Sequence, residues 1–190
     1  MTTAAGSVGS AVGQIAKIYG CKTIGFTSSD EKAEICKNEF GYDEVINYKK
    51  VDNLSSSLNQ IAPNGIDCFF DNVGGEQFDA VMENLNINAR VVICGTIGMP
   101  SYPIPNGPRI NRTLLVKLAK IEGLLVLDYF DRYEEMYDKL AKWFKDGELK
   151  NKEDISHGLN TAPSSLVKIL TISNCEANAN FLVYTTCFLL

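Results

Sequence analysis

The stretch Ala4-Ala5-Gly6-Ser7-Val8-Gly9, followed by Gly13, decides how this chain folds. It runs straight into an amphipathic segment, Ser10 to Tyr19. Glycines at this spacing ahead of a helix make a cradle for phosphate. Gly6 permits a tight turn, Gly9 lets backbone approach a pyrophosphate, and Gly13 lets the helix lie close on a sheet. The helix N-terminus adds unbonded N–H groups and the positive end of its dipole. Such a turn follows a buried strand in a dinucleotide fold. Here only Met1-Thr2-Thr3 precede it, so the chain reads as a cofactor-binding domain whose first strand is largely missing.

Outward from this turn, strand-like and helix-like segments alternate. Thr23 to Phe26, Val45-Ile46, Ile66 to Phe70, Arg90 to Cys94 and Leu124 to Leu127 are short apolar runs. Between them, Asp30 to Phe40, Asn53 to Ile61, Glu76 to Leu85 and Asn111 to Ile121 have helical spacing. Tyr133 to Phe144 places Met136, Tyr137, Leu140, Trp143 and Phe144 on one face, and Gly147 ends it. Four prolines between Pro100 and Pro108 mark a loop. The rhythm predicts an α/β fold, a Rossmann-like doubly wound parallel sheet covered on both faces.

The totals narrow the function classes. The 190 residues are 45% hydrophobic and 22% charged, with a net charge of −5 and no basic run, so nucleic acid is not an expected partner. No apolar run approaches the roughly 20 residues of a membrane span, and no secretory signal opens the chain. Six cysteines without CxxC spacing and one histidine, His157, argue against a zinc site. Cys21, Cys68 and Cys94 read as small core residues of a protein in a reducing, cytoplasmic compartment, and His157 as a surface residue.

In such sheets the ligand lies beyond the carboxyl ends of the strands, so the residues that follow each strand are the informative ones. An NAD site usually places Asp or Glu about 20 residues after the glycines. This chain has Thr27, then Ser28 and Ser29, with Lys32 one turn on. Hydroxyls plus a cation suit a 2′-phosphate, which favours NADP(H) over NAD(H). Helix capping by Ser28 or Ser29, and a solvated helix face for Lys32, are the plain alternatives. Tyr48 could cover the adenine-ribose side or simply pack at an edge. Asn72, before Gly74-Gly75, could bond ribose or nicotinamide or simply form a turn. Cys94-Gly95-Thr96 could meet the nicotinamide end through backbone. No Ser/His/Asp arrangement and no catalytic carboxylate pair is visible.

These residues resemble the zinc-independent medium-chain dehydrogenase/reductases, within them the prostaglandin reductase and alkenal double-bond reductase branch. The matching segments include Ala4 to Ser10, Val12 to Lys17, Ser29 to Lys32, Ile46 to Lys49, Phe70 to Gly75 and Cys94-Gly95. The resemblance covers about residues 3 to 170. It implies a Rossmann NADP-binding domain over 1–150, a family segment over 151–170 and a divergent tail over 171–190. It also implies that Gly6, Ser7, Val8 and Gly9 hold the pyrophosphate, that Lys32 (with Ser28 and Ser29) meets the 2′-phosphate, and that Tyr48 and Asn72 serve the adenosine and nicotinamide halves. The implied reaction is hydride transfer from NADPH to the C=C bond of an α,β-unsaturated ketone or aldehyde. A quinone oxidoreductase, or a truncated fragment that binds nucleotide or a partner without catalysis, is the alternative. The family's N-terminal GroES-like catalytic domain is absent from the chain. Its closing Gly-x-Asn-x-Gly-Lys segment survives only as Asn174, with Ile172, Glu176 and Ala177 at the other positions. Tyr102 is a weak candidate for a substrate-side tyrosine. Relatives often pair as homodimers near Leu124 to Leu127.

Overall fold

The computed structural model describes residues 1–170 apart from Ser101, Ile104 and Asp154, and the side chains up to Val167. The expected tail over 171–190, including Asn174, Cys175 and Cys187, lies outside the described residues. The elements run α1 (Ser7–Ile18), β1 (Ile24–Thr27), α2 (Asp30–Asn38), β2 (Glu44–Asn47), α3 (Leu54–Ile61), β3 (Ile66–Asp71), α4 (Gly75–Glu83), β4 (Leu85–Ile93), α5 (Asn111–Lys117), β5 (Lys120–Gly123), α6 (Tyr133–Lys145) and α7 (Ala162–Leu170). All strand pairs are parallel, as the alternation predicts. They form two sheets, β1-β2 and β3-β4-β5. The chain divides into two compact units.

One unit holds Thr3–Asn47 and the chain from Val126 onward. β1 pairs with β2 from Ile24↔Glu44 to Thr27↔Asn47. Phe26, Ile46, Cys36, Phe40 and Ile15 are buried here. Ala4 donates its N–H to the Phe26 carbonyl at 3.0 Å. Farther along, Val126–Arg132 forms 3₁₀ turns interrupted at Tyr129 rather than the expected strand. The expected inner face of α6 is only partly inside. Met136 is fully buried against Val126, Tyr129 and Leu140, whereas Tyr137 and Phe144 are 53% and 59% exposed. Gly147, at φ +76°, ends the helix as expected.

The second unit holds Met1–Thr2 and Tyr48–Leu125. Its central strand, β4, lies between β3 and β5. The sequence places Leu85 at the end of a helix and starts the strand at Arg90. In the structure Leu85 already pairs with Ile66, and the register then shifts before Cys68↔Arg90. Asn88 takes up the extra residues at φ +64°, a bulge that bends the strand. α5 stops before the predicted Ile121 because Leu118 adopts a left-handed conformation at its C-cap. Ile121 instead pairs with Val91. The Thr2 N–H bonds the Phe70 carbonyl at 3.3 Å. The cysteine expectation also needs correction. Cys21 and Cys68 are exposed and Cys94 is half-buried, while among the described cysteines Cys36 is buried.

Candidate functional site

In the first unit, the turn at Gly6 opens α1 with no side-chain cap. The Gly6 N–H bonds Thr3 O at 2.8 Å, and Ser10 N bonds Gly6 O at 2.8 Å. Between them the amides of Ser7, Val8 and Gly9 precede the first intrahelical donor, Ser10, so they have no partner within the helix. Three such N–H groups, backed by the helix dipole, suit an anion. Gly9 and Gly13 serve a different closeness from the one expected. A side chain at Gly9 would overlap the carbonyl of Thr3, so its small size lets the helix seat on its own leading segment. A side chain at Gly13 would overlap the ring of Tyr42 rather than a strand. The Tyr42 hydroxyl donates to Gly9 O at 2.7 Å, and burial raises its pKa well above the ordinary value.

At the end of β1, Thr27 is buried and donates its hydroxyl to Ser29 O at 3.2 Å. Ser29 caps α2 by accepting from Lys32 N at 3.2 Å. Lys32 is only 8% exposed, and its Nζ lies 3.4 Å from Ser28 Oγ. The lysine is therefore drawn in against the serines, not splayed into solvent on an open helix face. Capping by Ser29 and a cation beside Ser28 coexist. In the same helix, burial pushes the Cys36 thiol up to about 12, despite the opposing charge of Lys32.

In the second unit, β3 ends on Asp71, a 1% exposed carboxylate. Its Oδ1 accepts from Thr2 Oγ1 at 2.9 Å and from Val73 N at 3.0 Å, and its Oδ2 accepts from Gly74 N at 3.0 Å. Thr2 Oγ1 in turn accepts from Asn72 N at 2.7 Å. The Asp71 carbonyl takes the N–H groups of Cys94 and Gly95 at 2.8 and 3.2 Å. Gly95 sits close enough to the Asn72 carbonyl that a Cβ there would lie 3.1 Å from it. The structure thus brings Asn72, Cys94 and Gly95 together. The Asn72 side-chain nitrogen is buried without a hydrogen-bond partner. Burial, then the charge of Asp71, raises the Cys94 thiol pKa.

Tyr48 is half-buried just beyond β2, and Thr96 is exposed. Tyr102 is 88% exposed in the proline-rich loop. Among the described residues no group of three or more His, Cys, Asp or Glu is placed to hold a metal. No helix of the described chain is long and apolar enough to cross a membrane. Sequence reasoning missed Thr2, Tyr42 and the role of Asp71. The signal for Asp71 was present: a carboxylate ending a buried apolar strand must find donors, and Asn72-Val73-Gly74 supplies backbone N–H groups next to it.

With this geometry in hand, similarity to known proteins gains meaning. The zinc-binding dehydrogenase family matches residues 7–143. The (+)-pulegone reductase of Mentha piperita is 38% identical over 169 residues, which make up 89% of this chain and 49% of the reductase. The NADP(+)-dependent 2-alkenal reductase of Nicotiana tabacum is 37% identical over 174 residues, 92% of this chain and 51% of that enzyme. The crystal structure of CurA from Vibrio vulnificus in complex with NADPH matches with a TM-score of 0.86 at 35% identity, covering 94% of this chain and 56% of CurA. The chain spans about half the length of the curated relatives it matches.

Proposed function

We propose that this chain, which belongs to the zinc-binding dehydrogenase family, supplies the cofactor-binding part of an NADP(H)-dependent oxidoreductase. Its substrate class is α,β-unsaturated ketones and aldehydes. Residues 1–150 form its cofactor domain, 151–170 a family segment and 171–190 a divergent tail. The observation that carries the reading lies in one unit: a helix N-terminus with no side-chain cap, together with a β1 end that carries Thr27 in place of an acid and leads to buried Lys32, 3.4 Å from Ser28.

Each residue has a task. The Ser7, Val8 and Gly9 amides take the pyrophosphate oxygens, and Gly6 makes the turn that exposes them. Ser28, Ser29 and Lys32 take the 2′-phosphate, whose charge an Asp at Thr27 would repel. Tyr48 covers the adenosine side. In the other unit, the buried and unpartnered nitrogen of Asn72 gains an acceptor when the nicotinamide half binds, with Cys94, Gly95 and Thr96 beside it through backbone. The cofactor supplies the hydride. The residues of this chain hold and orient it. A cytoplasmic location and a homodimer fit the same reading.

The test is titration of the chain with NADPH and with NADH, followed by fluorescence and thermal shift. NADPH binding at least about tenfold tighter than NADH is expected from a charge-assisted 2′-phosphate contact. Equal affinity for both overturns the Lys32 assignment. Turnover of the complete protein on enones supports the substrate class, and turnover on quinones alone replaces it.

A further inference from the structure

We infer that Asp71 is a positioning residue that, through Thr2, sets the Asn72 amide for the nicotinamide half of the cofactor; the inference rests on the NADP(H) reading above. The carboxylate of Asp71 gathers the Thr2 hydroxyl as well as the N–H groups of Val73 and Gly74. A carboxylate that merely closed a turn would need only Val73 and Gly74. The Thr2 hydroxyl is a further link. It donates to Asp71 at 2.9 Å and accepts from the Asn72 backbone at 2.7 Å, so the carboxylate fixes the direction in which that hydroxyl receives Asn72.

The orphaned nitrogen makes this arrangement functional in kind. Burying an amide donor without a partner costs free energy. The Asn72 backbone is held by its bond to the Thr2 hydroxyl, while its side-chain nitrogen has no hydrogen-bond partner. Such a device pre-organises a donor for an acceptor that arrives with a ligand. The Asp71 carbonyl adds a second restraint by holding Cys94 and Gly95 at the end of β4 next to the same loop.

The experiment uses the 190-residue chain and two probes, NADPH and 2′,5′-ADP, the second lacking any nicotinamide. The variants are Asp71→Asn, Thr2→Val and Thr2→Ser. Asp71→Asn and Thr2→Val are expected to weaken NADPH binding by about tenfold. They are also expected to reduce the enhanced emission of the bound dihydronicotinamide, while leaving 2′,5′-ADP affinity unchanged. Thr2→Ser restores both NADPH readouts. If Asp71→Asn fails to fold, Thr2→Val and its serine rescue decide the matter alone. Unchanged NADPH binding in Thr2→Val, or an equal loss of both probes in it, overturns the inference. A wild-type chain that binds neither probe removes the NADP(H) reading itself, and the inference with it.

Discussion

The two candidate regions, one in each unit, are built in opposite ways. The phosphate cradle uses backbone: uncapped amides at the start of α1, a serine cap on α2, and glycines where the chain packs on itself. Its bonds mostly connect neighbours, such as Ser29 to Lys32 and Thr27 to Ser29. The Asn72 loop uses side chains that are distant in sequence, with Thr2 bonded to Asp71 and to Asn72 across 69 and 70 positions. The first depends on close backbone packing, where added volume at Gly9 meets the Thr3 carbonyl. The second depends on buried acceptors that donors distant in sequence share.

The largest expected effect tests the volume side of that contrast. Gly9→Val drives a branched side chain into the Thr3 carbonyl and the Ala4 backbone, which cannot swing aside as a side chain would. A loss of about 3 kcal/mol in urea unfolding is expected. A change within experimental error would show that α1 can lift off its leading segment. Asp71→Ala tests the other side. It leaves the Thr2 hydroxyl and two N–H groups without their acceptor, for an expected loss of about 2 kcal/mol. A neutral outcome would mean that water replaces the carboxylate and that the loop has no need of it.

Smaller effects sharpen the cradle itself. Lys32→Gln is expected to reduce the preference for NADPH over NADH about tenfold, with little change in NADH affinity. Equal weakening of both nucleotides would assign Lys32 to the fold rather than to the phosphate. Ser29→Ala removes the α2 cap, at about 1 kcal/mol in thermal or urea unfolding.

The smallest effect is a pH dependence in the same unit. Burial works against the charge of Asp43, but hydrogen bonds from Lys17 and Thr23 prevail and hold its pKa below the ordinary carboxylate value. Lys17 Nζ lies 2.7 Å from Oδ1, and Thr23 N lies 2.6 Å from Oδ2. A depressed pKa means that the stabilisation is fully present above the unfolded-state value and is lost as pH falls through the folded one. Comparing wild type with Asp43→Asn, the stability difference should be constant near neutrality and shrink on acidification below about pH 4. A partly exposed pair makes it small. A difference that grows on acidification would reverse the sign.

The sequence alone indicated the α/β alternation, the glycine turn, a cap at Ser28 or Ser29, and the missing acid at Thr27. These depend on residues within a few positions of one another, where spacing and propensity act directly. The same local reasoning misplaced the boundaries of β4 and β5, because a bulge at Asn88 and a left-handed Leu118 leave no periodic trace. It put Tyr137 and Phe144 inside because periodicity gives the direction of a face and not what covers it. Only tertiary structure decided that Gly9 seats against Thr3, that Tyr42 fills the notch at Gly13, and that Thr2 ties Asp71 to Asn72. Hydrogen bonds and exclusion act over ångströms in space, and a linear pattern records no distance between residues that folding brings together.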